Sequence, residues 1–77
     1  MSEKFLVAEC LTEIYEMTSI KAKLKNLKLE FKLGGKYFPT WVIGDRMRFQ
    51  KIALNLTTNA VDYTTEGEIS VTVTYHK

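Results

Sequence analysis

Gly44-Asp45-Arg46-Met47-Arg48-Phe49-Gln50-Lys51-Ile52-Ala53-Leu54-Asn55-Leu56-Thr57-Thr58-Asn59-Ala60-Val61-Asp62-Tyr63-Thr64 carries the most informative pattern in this chain. Phe49, Ile52, Ala53, Leu56, Ala60 and Tyr63 recur at steps of three and four, which is helical spacing. Asp45 is placed to cap that helix, because its carboxylate can accept from the orphan amides of the first turn. The helix is expected to end near Tyr63 or Thr64, with Thr65-Glu66-Gly67 as the turn. Asn55 and Asn59 stand four apart, hence on one face, one turn above the other. Asn is a poor helix-interior residue because its amide competes with the backbone, and Thr57 and Thr58 add two more poor formers. Two readings of the pair stay open. Either it fills a polar surface or caps a neighbouring loop, or it presents neutral donors to a ligand. In the second case an Asn carbonyl suits a hard cation such as Mg²⁺, and its amide can donate to a phosphate.

Downstream, Ile69, Val71, Val73 and Tyr75 alternate with Ser70, Thr72 and Thr74, a strand rich in β-branched residues. Upstream, Trp41-Val42-Ile43 is a short apolar stretch that reads as a second strand, closed by Gly44 and preceded by a loop through Pro39. Before that loop, Leu27, Leu29, Phe31 and Leu33 alternate with Lys28, Glu30 and Lys32 up to Gly34-Gly35, a half-buried strand. From Phe5 to about Lys25 the apolar residues Val7, Cys10, Leu11, Ile14, Met17, Ile20 and Leu24 form one stripe of an amphipathic helix. Asn26 follows its last turn and tolerates a left-handed C-terminal cap. The order is helix, strand, short strand, helix, strand. It predicts an α+β, two-layer fold in which two helices pack on one face of a small mixed sheet.

The 77 residues allow one small domain or a piece of a larger one, taken here as a single unit over 1–77. A hydrophobic content of 45% excludes a disordered tail, and no apolar run reaches the roughly 18 residues needed to span a bilayer. Cys10 has no partner cysteine for a disulfide, and His76 alone cannot build a zinc site. His76 reads as a solvated terminal residue, and Cys10 as a small core residue rather than a nucleophile. The opening Met1-Ser2-Glu3-Lys4 lacks the pattern of a secretory signal, so a cytoplasmic setting is expected, without direct membrane contact by this segment.

The net charge of +2 conceals a shift along the chain. Residues 1–20 carry Glu3, Glu9, Glu13 and Glu16 against Lys4, a balance of −3. Residues 21–36 carry six lysines against Glu30, a balance of +5. Acid early and base late in one helix complements its dipole, and Lys28 and Lys32 then form the wet face of a strand. That accounts for the lysines better than nucleic-acid binding, since no aromatics interleave as single-strand recognition needs apart from Phe31, which falls in the apolar register.

The quoted run, followed by Glu66-Gly67-Glu68-Ile69-Ser70-Val71-Thr72-Val73, strongly resembles the N box of sensor histidine kinases. An Asp, an Arg three later, Asn-Leu-x-x-Asn-Ala, an aromatic-Thr pair and a Gly before a β-branched strand recur there in this order. Phe5-Leu6-Val7, Ala22-x-x-Lys25-Asn26-Leu27 and Pro39-x-Trp41-Val42-Ile43-Gly44-Asp45 are similar to the first half of the same family's ATP-binding domain. The resemblance implies a partial GHKL-type catalytic and ATP-binding domain. Carried over by position, Asn59 would ligate the Mg²⁺ that bridges the ATP phosphates, Asn55 would contact phosphate, and Tyr63 would lie against the adenine–ribose part. Asp62 stands where many members carry a Lys or Arg reaching the phosphates, and Lys51 where many carry Gln. An acid at 62 repels a triphosphate unless it faces Mg²⁺ or solvent. Hydrolytic relatives place a general-base Glu four residues before the Mg²⁺ ligand; Asn55 occupies that position here and cannot take a proton, which favours transfer to a histidine over hydrolysis.

The family's later Asp-x-Gly-x-Gly loop, lid and second glycine-rich loop have no counterpart in the 77 residues, where no Gly-x-Gly pair occurs. The resemblance therefore implies a parent sensor or hybrid kinase, partnered by a histidine-bearing dimerisation domain and a response regulator or receiver domain. The present chain is expected to be inactive alone, with ATP and Mg²⁺ belonging to the complete domain. A non-catalytic docking or regulatory module on the same scaffold is the alternative, and the final strand, lacking later neighbours, is expected to expose an edge for homodimerisation.

Overall fold

The computed structural model describes residues 2–35 and 38–75; His76 and the charge on Lys36 lie outside the described residues. The elements are β1 (Glu3–Phe5), α1 (Val7–Leu24), β2 (Lys28–Gly34), β3 (Val42–Gly44), α2 (Arg46–Tyr63) and β4 (Glu68–Thr74). The α+β class, the two helices and the three expected strands are present. β1 was not expected, because Phe5 read as the opening of a helix that in fact starts at Val7.

The strands pair in two separate couples. β1 pairs antiparallel with β3, Lys4 opposite Ile43, while β2 pairs parallel with β4 from Lys28–Glu68 to Gly34–Thr74. The single mixed sheet expected from the sequence is therefore two two-stranded sheets among the described residues. The parallel pairing requires a crossover, which β3 and α2 supply. The glycine at 34 matters here, since a Cβ on it would lie 2.9 Å from the Thr72 methyl and 3.2 Å from that of Thr74.

The core has two parts. Phe5, Val7, Cys10, Leu11, Ile14 and Ala53 form one cluster, and Ala22, Leu27, Leu29, Val61 and Ile69 the other. Phe31 of β2 packs against both. The buried line of α1 runs Val7, Leu11, Ile14, Thr18, Ala22, and Met17, Ile20 and Leu24, expected on the core stripe, are exposed. The cause is geometric. A helix turns once in 3.6 residues, so a step of four advances about 40° and a step of three falls back about 60°; mixing the two keeps to one side, whereas the two successive threes 14→17→20 rotate about 120° off it. In α2 the buried residues are Ala53, Thr57 and Val61, and Ile52, Leu56 and Tyr63, on neighbouring lines of the helix, are exposed.

Candidate functional site

α2 begins as its sequence dictates. Asp45 is its N-cap, extended in backbone, and its carboxylate accepts from the Arg48 amide at 3.1 Å. That hydrogen bond holds the Asp45 carboxyl below its ordinary value. Behind the cap, Arg46 reaches α1 and donates to both oxygens of Glu13, at 3.2 and 3.3 Å, while Gln50 donates to the same carboxylate at 2.6 Å. The Cys10 sulfur and then the Glu13 carboxylate raise the affinity of the Arg46 guanidinium for its proton further above its ordinary value.

The far ends of the helices are tied as well. Lys21 forms an ion pair with Asp62, and the Lys25 ammonium donates to the backbone carbonyls of Val61 at 2.6 Å and Asp62 at 3.1 Å. With Glu13 against Arg46 and Gln50 at one end and Lys21 and Lys25 against the last turn at the other, α1 and α2 run in the same sense. The buried hydroxyls of Thr18 and Thr57 donate to Ile14 and Ala53 in their own helices at 2.8 Å, so small polar residues can sit inside at no unmet hydrogen bond.

On the outward side of α2 lie the residues that the sequence singled out. Asn55 and Asn59 are exposed, one turn apart, and among the described residues neither side chain is committed to a hydrogen bond. Asn55 shares a shallow surface depression with Lys51, Leu54 and Thr58. Tyr63, 85% exposed, closes the same helix end. Asp62 sits in the same turn, but its carboxylate is engaged by Lys21. Beside this face, Phe49, Ile52, Ala53 and Leu56 line a largely apolar groove against Val71 and Val73 of β4. Mg²⁺ commonly keeps most of its waters and reaches protein through one or two oxygens, and an exposed Asn carbonyl is an oxygen of that kind. No cluster of three or more His, Cys, Asp or Glu able to hold a metal by itself occurs among the described residues.

Neither Lys21 nor Lys25 is given a role at this site by the sequence, although Lys25 lies in the quoted Ala22-x-x-Lys25-Asn26-Leu27 motif. Their signal was present: they stand four apart at the end of α1, and α2 ends in Tyr63-Thr64 with neither a glycine cap nor a basic residue in its last turn. Such an end needs a donor from elsewhere.

Two helices running in the same sense beside a short parallel strand pair recur in solved catalytic domains of histidine kinases. The catalytic domain of histidine kinase ThkA superposes on all of this chain with a TM-score of 0.83 at 24% identity, the chain covering 52% of it. Histidine kinase ThkA in complex with the response regulator TrrA matches 97% of the chain, at a TM-score of 0.78 and 26% identity. By sequence, the aerobic respiration control sensor protein ArcB homolog of Haemophilus influenzae is 41% identical over 59 residues, which are 77% of this chain. The chain spans 18% of that relative's length. No family model matches the chain. The chain thus carries the fold of part of a histidine kinase catalytic domain, and it spans about half of the ThkA domain that it matches.

Proposed function

We propose that α2 is the nucleotide-holding helix of this kinase domain. Asn59 would ligate the Mg²⁺ of an ATP–Mg²⁺ complex through its carbonyl, Asn55 would donate to phosphate, and Tyr63 would lie along the adenine–ribose part. The bound Mg²⁺ supplies charge neutralisation on the phosphates; the residues of this chain bind and orient. The observation that carries this reading is the exposed, uncommitted Asn pair on the outward face of a helix whose opposite face is buried. Asn55 at the position of a hydrolytic general base cannot take a proton, which supports phosphoryl transfer to a histidine by the parent protein over hydrolysis. The parent would then work in the cytoplasm with a histidine-bearing dimerisation domain and a response regulator. No helix among the described residues is long and apolar enough to cross a membrane.

Asp62 bears on this reading through Lys21. With its carboxylate engaged in the ion pair, the acid is neutralised locally and ties α1 to α2, so it need not repel a triphosphate. The same ion pair also supports the second reading, a docking or regulatory module in which position 62 has become structural.

The 77 residues contain no Gly-x-Gly nest to enclose phosphates, so affinity should be weak. Isothermal titration with ATP–Mg²⁺ at micromolar concentration should show no binding. At millimolar ATP–Mg²⁺, amide shifts should appear at Asn55 and Asn59 and vanish in Asn59→Ala. Shifts that survive that substitution unchanged would remove Asn59 from the site and favour the docking module.

A further inference from the structure

The last turn of α2 is a helix end that does not close itself. Thr64 is extended, and its amide returns to Ala60 at 3.0 Å, which leaves the carbonyls beyond Ala60 without a partner in their own helix. No glycine provides a left-handed cap and no basic residue stands in the turn to meet the negative end of the dipole. Two of those carbonyls, of Val61 and Asp62, are taken by one ammonium, Lys25, from 36 and 37 residues away in sequence.

Lys25 is itself held in place. It ends α1 in a closed C-terminal motif, with the Leu27 amide donating to Ala22 at 2.9 Å and the Asn26 amide to Lys23 at 3.0 Å. Asn26 adopts φ 59°, the left-handed conformation such a motif requires. Leu27 then anchors the exit by burying beside Ala22 and Val61. The lysine is thus a fixed donor, and one turn back Lys21 grips the Asp62 side chain from the same direction.

We propose that Lys25 is a positioning residue for nucleotide binding: by capping α2 from the end of α1, it holds the turn carrying Asn59 and Tyr63 in its binding orientation. This rests on the reading of Asn59 as a contact to ATP–Mg²⁺. Lys25 touches no substrate; it acts through the backbone of the turn. Lysine at this point also makes the site depend on α1, since displacement of its C-terminus removes the cap.

The test compares the wild-type chain with Lys25→Met and Lys25→Arg by amide hydrogen exchange and by the ATP–Mg²⁺-induced shift of the Asn59 side-chain amide at millimolar nucleotide. Lys25→Met should speed exchange at Asp62, Tyr63 and Thr64 by about three- to fivefold, the weight of one cation at a helix C-terminus, with the β2–β4 ladder unchanged. It should also diminish the Asn59 response, and Lys25→Arg should restore both. Unchanged exchange in the last turn, or faster exchange spread evenly over the chain, overturns the proposal. So does local fraying with an intact Asn59 response, which would make Lys25 structural only. Absence of any nucleotide response in the wild type, by contrast, overturns the underlying reading of Asn59, and the positioning role with it.

Discussion

Thr57 shows how a polar residue comes to occupy the centre of this fold. Its hydroxyl donates to Ala53 one turn back, so the group is satisfied within α2 and the methyl packs as an aliphatic would. Asp45 makes the opposite use of a polar atom, staying outside to accept the Arg48 amide. Its folded-state pKa lies below the ordinary 3.8, so its contribution to stability is present above about pH 4 and lost as pH falls through the folded value. Asp45→Asn keeps an acceptor and removes the titration. The thermal midpoint of this variant should therefore fall less between about pH 7 and pH 3 than that of the wild type, as followed by circular dichroism. Equal falls would show that the Asp45 charge is not coupled to folding.

At the scale of elements, α1 illustrates what sequence pattern can and cannot deliver. Its existence and its left-handed exit at Asn26 follow from residue chemistry, and the Asp45 cap of α2 does so equally. Apolar residues at steps of three and four announced both helices but not which step would face inward. Met17, Ile20 and Leu24 satisfied the pattern and remain outside, while Thr18, Ser19 and Ala22 are buried because small side chains admit the neighbouring elements. Ile20→Glu should accordingly change stability in urea by no more than ~0.5 kcal/mol, whereas Ala22→Glu, which forces an unpaired carboxylate inside, should prevent folding. A large loss from Ile20→Glu would mean that a partner covers this side of α1. β1 escaped notice since three residues are too few to display a period. The Asn pair was visible because its cost in helix propensity asked for a reason. The role of Lys25 was harder to read, because its partners are backbone carbonyls and only the uncapped end of α2 pointed to a missing donor.

For the molecule as a whole, β4 pairs with β2 on one flank only among the described residues, and the apolar groove of Ile52, Leu56, Val71 and Val73 lies alongside. β4 carries no lysine or proline that would blunt an edge. An antiparallel match of β4 with a second copy is self-complementary, so the isolated chain should sediment as a dimer at high concentration. Val71→Lys should return it to monomer. A wild-type chain that stays monomeric throughout would show that the helix face alone protects the edge.

The parallel register sets one more condition on this molecule, which concerns time. Lys28 and Glu68, the first partners of the β2–β4 ladder, are forty residues apart, and both β3 and α2 lie between them. Closing a loop of that length costs entropy that no local contact returns in advance. The helices can gather their turns from near neighbours, but β2 must wait for the rest of the crossover before its register exists. β4 is therefore the part that lets β2 settle, however early β2 itself is made.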